Sequence, residues 1–427
     1  MASESMPTAG GPTGGMDNVA SLLTLNNLNY QLPNDLSVAV ARTHTNEFFQ
    51  AKQFSPGQTM VAIINSGSSY VRLAGSYLRL DITNTGTGPM NFGPTTSPDG
   101  NATGLFERLL ISGRDGSVLE RIDSVGMLSR IRGNYEVDGE YRASVMGVSG
   151  AIYTGATVID AGESIRVVIP MSAISPMWGS EQLAPNSLIS GLRVEFQLAT
   201  ANKAFYRTTG ALELNYSIDD CAIVCESYSL SDLVLRTLNQ ISSSSGLEFI
   251  FNTYFTTADV RTTTSVNLES RKSVSRALQA IYVEQEQKTA ALEANRDSYA
   301  SRAPDFVESQ FRVGSMYYPQ QPLRAPEPDL LSPELYAYSL LGFSKYGRGN
   351  TGRAASSFSS FLTHTAIVAA SLERDTLGGS GIPLSNSRVL QFSSVFETAG
   401  ATVYNVWLFL KYTTLVRVYL SNLIVET

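Results

Sequence analysis

Apolar and polar residues alternate along much of this chain with a period of two, the pattern of strands that bury one face and leave the other wet. The clearest case is Leu192-Arg193-Val194-Glu195-Phe196-Gln197-Leu198, where the alternation is unbroken. The same period puts Leu78, Leu80 and Ile82 on one side of a strand and Arg79 and Asp81 on the other. It predicts further strands through Leu212, Leu214, Tyr216 and Ile218, and through Ile165, Val167 and Ile169, the last stopped by Pro170. Between Leu109-Leu110-Ile111 and Val118-Leu119, the run Ser112 to Ser117 carries Asp115-Gly116, residues that accept the positive φ of a tight hairpin. Neighbouring strands should therefore pair locally and antiparallel.

From Val389 onward the chain is at its most hydrophobic. Two strands are predicted there, Val403 to Tyr412 and Leu415 to Val425, with apolar residues on both faces. A sandwich strand ordinarily keeps one face in water, so this end is expected to pack against the other half of the chain or a neighbouring subunit.

Helical patterns are few. Near mid-chain, Ser231 as cap and Asp232 as first-turn acid precede Val234, Leu235, Leu238 and Ile241, and a serine run ends at Gly246. A strand pattern restarts at Leu247-Glu248-Phe249-Ile250-Phe251, so this helix reads as a connector between two halves. A second helix, Thr289 to Ala300, ends before Pro304 and decorates a loop. Many short strands separated by Gly, Pro, Asn and Ser turns mark an all-β sandwich or barrel, where alternating strands and long helices would mark a parallel sheet. A chain of 427 residues exceeds the roughly 250–300 at which one core stops growing. The expected organisation is an N-terminal arm over 1–40, a first β-sandwich over 41–228, a connecting helix over 229–246 and a second sandwich over 247–427.

Composition narrows the function. Apolar residues make up 43% and charged residues 16%, a globular balance. The formal charge is −7, and from Met1 to Ala41 there is no Lys or Arg beside Glu4, Asp17 and Asp35. Such an arm cannot neutralise phosphate, so specific nucleic-acid binding by this chain is not expected. Met1 to Gly15 is rich in Gly, Ser, Thr and Pro and lacks the basic start and apolar run of a secretory signal. The apolar zone Val403 to Val425 is broken by Asn405, Lys411, Thr413, Thr414, Arg417 and Asn422, short of the roughly 18 residues of a membrane span.

Candidate chemistry is sparse. Cys221 and Cys225 fall on one predicted strand, where same-face residues four apart sit roughly 13 Å apart, too far for a disulfide. His44 and His364 are the only histidines, too few for a cupin-type metal site or a well-supported serine triad, and no Gly-x-Ser-x-Gly elbow occurs. Gly347-Arg348-Gly349-Asn350-Thr351-Gly352 matches a dinucleotide fingerprint in letters but lacks the strand-turn-helix around it. Asp219-Asp220 would point to opposite faces of a strand and cannot flank one bond, so the pair reads as a strand end. The triplets Asn101-Ala102-Thr103 and Asn215-Tyr216-Ser217 fit glycosylation only as chance matches, and Trp407 reads as core. No catalytic, cofactor or metal site is expected, and no enzyme.

One long segment carries a resemblance. Gln310-Phe311-Arg312-Val313-Gly314-Ser315-Met316-Tyr317-Tyr318-Pro319-Gln320-Gln321-Pro322-Leu323 resembles a stretch of double-jelly-roll major capsid proteins, found in tailless icosahedral DNA viruses and Polinton-like elements. Ser332-Pro333-Glu334-Leu335-Tyr336-Ala337-Tyr338 is similar to the family's helix-starting segment. Ser380-Gly381-Ile382-Pro383-Leu384-Ser385-Asn386-Ser387 is similar to the turn before its last strands, and Leu183 to Leu198 to a strand near the end of its first roll. The resemblance implies two tandem jelly rolls, homotrimers of pseudo-sixfold outline, and neighbouring capsomers with minor capsid or penton proteins as partners. It further implies, in many members, an internal membrane, and a place in the virion shell after assembly inside the host cell. Two rival readings are a minor capsid or vertex protein and a jelly-roll carbohydrate-binding or adhesin module. Ser/Thr/Gly-rich stretches such as Thr83 to Gly104 and Gly347 to Ser360 are expected as outer or lateral loops.

Overall fold

The computed structural model describes residues 39–93, 101–137, 139–144, 158–207, 213–287, 299, 301, 306–343, 357–374, 381–397, 403–419 and 423–427. The arm Met1 to Gly15, the dinucleotide-like run Gly347 to Gly352 and, Tyr299 apart, the helix expected over Thr289 to Ala300 lie outside these residues.

The principal strands of the first half are β1 (Ala39–Phe48), β2 (Thr59–Ile64), β3 (Tyr70–Asn84), β4 (Phe106–Ser112), β5 (Val118–Asp123), β6 (Ser164–Pro170), β7 (Leu192–Leu198) and β8 (Tyr216–Leu230). One antiparallel sheet runs β1-β8-β3-β6, with Leu183–Ala184 continuing β6 along β3; the facing sheet runs β2-β7-β4-β5. The second half repeats the plan with β9 (Leu247–Arg261), β10 (Ser265–Ser270), β11 (Val274–Glu286), β12 (Phe306–Val313), β13 (Met316–Arg324), β14 (Val368–Ser371), β15 (Leu390–Phe396) and β16 (Tyr404–Val418). Its sheets run β9-β16-β11-β14 and β10-β15-β12-β13. Each strand of the second half thus occupies the place of the strand eight earlier, and each half is a jelly roll of two stacked sheets. Helix α1 (Val125–Tyr135) follows β5, α2 (Asp232–Ser244) joins the halves, and α3 (Pro328–Gly342) follows β13 in the place of α1.

Strand β7 spans the residues its alternation predicts, with Leu192, Val194, Phe196 and Leu198 buried. Phe196 packs between Phe106 and Phe49, at ring-centroid distances of 4.9 and 6.2 Å. The β4–β5 hairpin closes as expected: Gly116 has φ +82°, and Asp115 Oδ1 accepts from the backbone N–H of Ser117 at 3.0 Å. β6 ends at Pro170.

Several expectations are corrected. The last apolar zone is one fifteen-residue strand, β16, and not two; Thr413 and Thr414, read as a break, are β-branched and stay in the ladder opposite Asn252 and Phe251. Only Leu423–Glu426 folds back, pairing with the end of β16. β8 begins at Tyr216, after Leu214. Asp219-Asp220 is no strand end but a bulge inside β8, where Asp220 takes φ +40° and the register shifts against β3. Ser231 stands at the N-cap of α2 without a side-chain cap bond. Ser332 to Tyr338 lies inside α3, which starts at Pro328 because proline fits the first helical turn. Of the stretch expected as a surface loop over Thr83 to Gly104, the described residues include an interior part: Met90 and Phe92 are buried, and Met90–Asn91 pairs with Val158–Ile159 and Tyr206–Arg207. Asn84 holds it there, its amide donating to the carbonyls of Gly88 and Ile159, both at 2.8 Å.

Candidate functional site

The two rolls meet along a seam. Strand β9 of the second roll lies against β5 and the Met177–Gly179 turn of the first. Thr256 Oγ1 donates to the Asp123 carbonyl at 2.9 Å, and the Ile250 N–H donates to Gln182 Oε1 at 3.1 Å. Trp178 is buried in the turn beneath β9. At the end of α1, the Tyr135 hydroxyl donates to the Thr365 carbonyl at 2.7 Å, and its ring stacks on Phe343 at 5.2 Å. The Tyr299 hydroxyl reaches the Gly104 carbonyl at 2.7 Å.

Charge is concentrated where α1 ends. Glu136 caps the helix C-terminus, a place unfavourable to an anion, and is held by Arg132 Nε at 2.7 Å, Lys411 Nζ at 2.7 Å and the Tyr254 hydroxyl at 2.8 Å. The three charged side chains are 16–24% exposed. Burial works to raise the Glu136 carboxyl, but Lys411 and Arg132 together outweigh it and hold the acid well below the usual carboxylate range. A second acid on the seam behaves in the opposite way. Glu120 on β5 is buried and hydrogen-bonded by neutral groups, the Ser175 hydroxyl and the Met177 N–H at 3.2 Å, with Thr253 of β9 nearby and the Arg132 charge within reach. Burial pushes its carboxyl up to about 7, and those donors and the Arg132 charge only partly oppose it.

The sequence left these residues unmarked, apart from Lys411 as an interruption in an apolar strand. The candidates it did raise are scattered. His44 is exposed on β1, and His364 lies in the second roll after Phe358–Thr363. Among the described residues no group of His, Cys, Asp and Glu has the arrangement of a metal site. Cys221 and Cys225 are free and buried in β8, and burial pushes both thiols up to about 12, leaving them unreactive near neutrality. Asp219 accepts from Ser217 Oγ at 3.0 Å, whereas Asp220 pairs with Arg166 at 3.1 Å and Arg79 at 3.6 Å, so the two carboxylates serve different partners. Asn101 Oδ1 accepts from Thr103 N–H at 2.8 Å and caps the Ala102–Leu105 turn; Tyr216 and Ser217 are buried in β8. Trp407 is core. Among the described residues no helix is long and apolar enough to cross a membrane.

The strands equivalent to the seam are open. β1, the counterpart of β9, is exposed along most of its length, with Val40 69% and Phe48 61% exposed. It is held to β8 by the ladder and by Arg42, whose Nε meets the buried Glu226 at 2.5 Å. β13, the counterpart of β5, presents Met316 and Tyr317 to solvent.

No family model matches the sequence, and no curated protein matches it. Solved structures do. The Faustovirus major capsid protein aligns with a TM-score of 0.63 at 7% identity, covering 94% of this chain and 97% of that one. PBCV-1 VP54, as fitted into a reconstruction of the virophage Sputnik, aligns at 0.62 and 9% identity, covering 93% and 99%. The mavirus major capsid protein aligns at 0.50 and 11% identity, covering 100% and 96%. At such identities the likeness is one of fold. The chain is a double jelly roll over nearly its whole length.

Proposed function

We propose that this chain is a viral major capsid protein, a non-enzymatic subunit that self-associates into trimers and then tiles an icosahedral shell around a genome it does not grip. The observation that carries the reading is the mismatch between closed and open faces. Inside one chain, β5 of the first roll meets β9 of the second. Their counterparts β13 and β1 are left exposed, so the second roll of one copy can receive the first roll of the next by the same contact. A head-to-tail contact repeated around an axis closes into a ring when the rotation allows, and three two-roll chains supply six similar edges, the outline of a hexagonal tile. The solved structures with this fold include proteins named as major capsid proteins.

On this reading residues 41–228 and 247–427 are the two tiling units, 229–246 is the strap between them, and the arm over 1–40 acts in assembly. The partners are other copies, neighbouring capsomers and minor or penton proteins, with an internal membrane beneath the shell, and the protein resides in the virion. The net charge of −7 keeps free subunits apart before assembly and suits a chain that leaves the nucleic acid alone. Light scattering on the purified chain tests the proposal: a species near three times 46.2 kDa is expected. A monomer that binds glycans would overturn it in favour of a carbohydrate-binding module.

A further inference from the structure

The turn between β12 and β13 and the turn preceding β15 enclose a polar pocket of about 620 Å³, lined in part by Arg312, Gly314, Ser315, Ser385, Ser387 and Arg388. Both arginines are anchored at one residue. Gly314 has φ +61°, and a Cβ there would stand 3.1 Å from Arg388 Cγ, so glycine lets the Arg388 stem cross the turn. The Gly314 carbonyl accepts from Arg312 Nε at 2.7 Å. The Arg312 Nη groups and the whole Arg388 guanidinium have no hydrogen-bond partner among the described residues, and neither arginine pairs with a carboxylate there.

No Asp or Glu is among the described residues that line the pocket. The two rolls differ in this respect. The equivalent turn of the first roll, Gly113 to Ser117, carries its own acid, Asp115, which accepts from the Ser117 N–H at 3.0 Å, whereas Gly314-Ser315 carries none. A third guanidinium adds to the positive excess nearby: burial raises the Tyr318 hydroxyl, the charges of Arg374 and Arg388 both oppose it, and Arg374 has no carboxylate partner among the described residues. The chain has 38 acidic residues against 31 basic ones, so these arginines are not left unpaired for want of acids. Like charges held at one residue repel, and an anion between them turns that repulsion into attraction.

The chemistry of the walls selects the anion. Guanidinium forks match the paired oxygens of a tetrahedral oxyanion. The pocket is larger than a bare ion fills and falls within the roughly 300–1,000 Å³ of small-molecule sites. Its turns are rich in hydroxyls, with Ser385 Oγ and Ser387 Oγ 3.2 Å apart on one and Ser315 on the other. We propose that the pocket binds a phosphate or sulfate monoester of a hydroxylated carrier such as a sugar, with the oxyanion between Arg312 and Arg388 and the carrier against the serines. The site is built from the second roll alone, so it stands apart from the trimer reading.

Isothermal titration calorimetry on the full chain tests it, with glucose-6-phosphate, glucose-6-sulfate, inorganic phosphate and glucose as probes. An ester is expected to bind saturably while glucose gives no signal, and Arg388→Gln and Arg312→Gln should each weaken the binding by about tenfold or more. Arg312 is exposed and Arg388 half-buried, so both variants should melt with the wild type, which separates lost binding from misfolding. Binding of either ester supports the proposal, and the tighter of the two distinguishes a phosphate source from a sulfate source. No saturable binding of either ester, binding that both variants leave unchanged, or glucose bound as tightly as its esters would overturn it. Inorganic phosphate bound as tightly as the esters would overturn the role given to the carrier.

Discussion

Strands β9 and β1 hold the same place in their two sheets, each the edge beside a fifteen-residue central strand, yet the first half of β9 alternates between buried and exposed residues while β1 is exposed almost throughout. The ladders do not account for this, since both strands pair with their neighbours along nearly their whole length, β1 with a single register shift between Ala39 and Ala41. What differs is the face beyond the ladder: β9 has the other roll's β5 against it, whereas β1, among the described residues, packs on β8 and β2 of its own roll. The same contrast separates β5 from β13. One architecture, used twice, has its contact satisfied once within the chain and left open once, which is the arrangement a subunit needs if it is to continue the contact with copies of itself.

The largest effect is expected from unfolding a roll, which carries one closed face and one open face. Phe196→Ala removes a fully buried ring from the packing with Phe49 and Phe106 and is expected to cost about 3–5 kcal/mol, read by chemical denaturation. Seam and open face should be lost together; an unchanged denaturation midpoint would mean that this face is not core.

Next in size is the closed contact alone. Glu136→Gln leaves Arg132 and Lys411 facing each other without their anion across the seam and should cost about 3 kcal/mol, the low end for a buried pair because all three side chains keep some exposure. Its signature is a seam that exchanges amide hydrogen faster at β5 and β9 than in the centres of the sheets.

The two seam acids then give a pH dependence of opposite sign. Glu120 has a folded-state pKa of about 7, above its ordinary 4.5, so the folded protein binds the extra proton between those values. Its contribution is fully present below 4.5 and is lost as pH rises through 7, about 3 kcal/mol in all. Glu136 lies below the ordinary value, so its contribution is present above 4.5 and is lost only as pH falls below it. Glu120→Gln should therefore match the wild-type melting temperature near pH 4.5 and exceed it at pH 8. Equal melting curves at pH 8 would refute the assignment.

The smallest effect on stability falls on the open face. Met316→Asp combined with Tyr317→Asp should change folding stability by no more than about 0.5 kcal/mol per site, because both side chains are solvent-exposed, and yet abolish the trimer. A trimer that survives both charges would place the contact elsewhere.

How far the sequence reaches depends on how local the cause is. β7 was legible to the residue because alternation and burial are set within seven positions, and the Asp115-Gly116 hairpin because a turn is chosen by its own residues. The continuation of β16 through Thr413 and Thr414 was not, since polar threonines look like a break until Asn252 on the neighbouring strand is seen to accept from Thr413. The buried residues Met90 to Phe92 read as loop because their anchor, the Asn84 amide, reaches a carbonyl 75 residues away. The seam was the least visible feature. Glu136 and Lys411 stand 275 residues apart, and nothing near either one reveals the other. The open faces were equally hidden, because exposure on β1 and β13 acquires meaning only beside the covered β9 and β5.

The most direct test is a cryo-EM structure of the purified oligomer. A threefold ring is expected in which β13 of each copy lies on β1 of the next as β5 lies on β9 within the chain. An oligomer in which β1 and β13 remain solvent-exposed, joined through other surfaces, would contradict it.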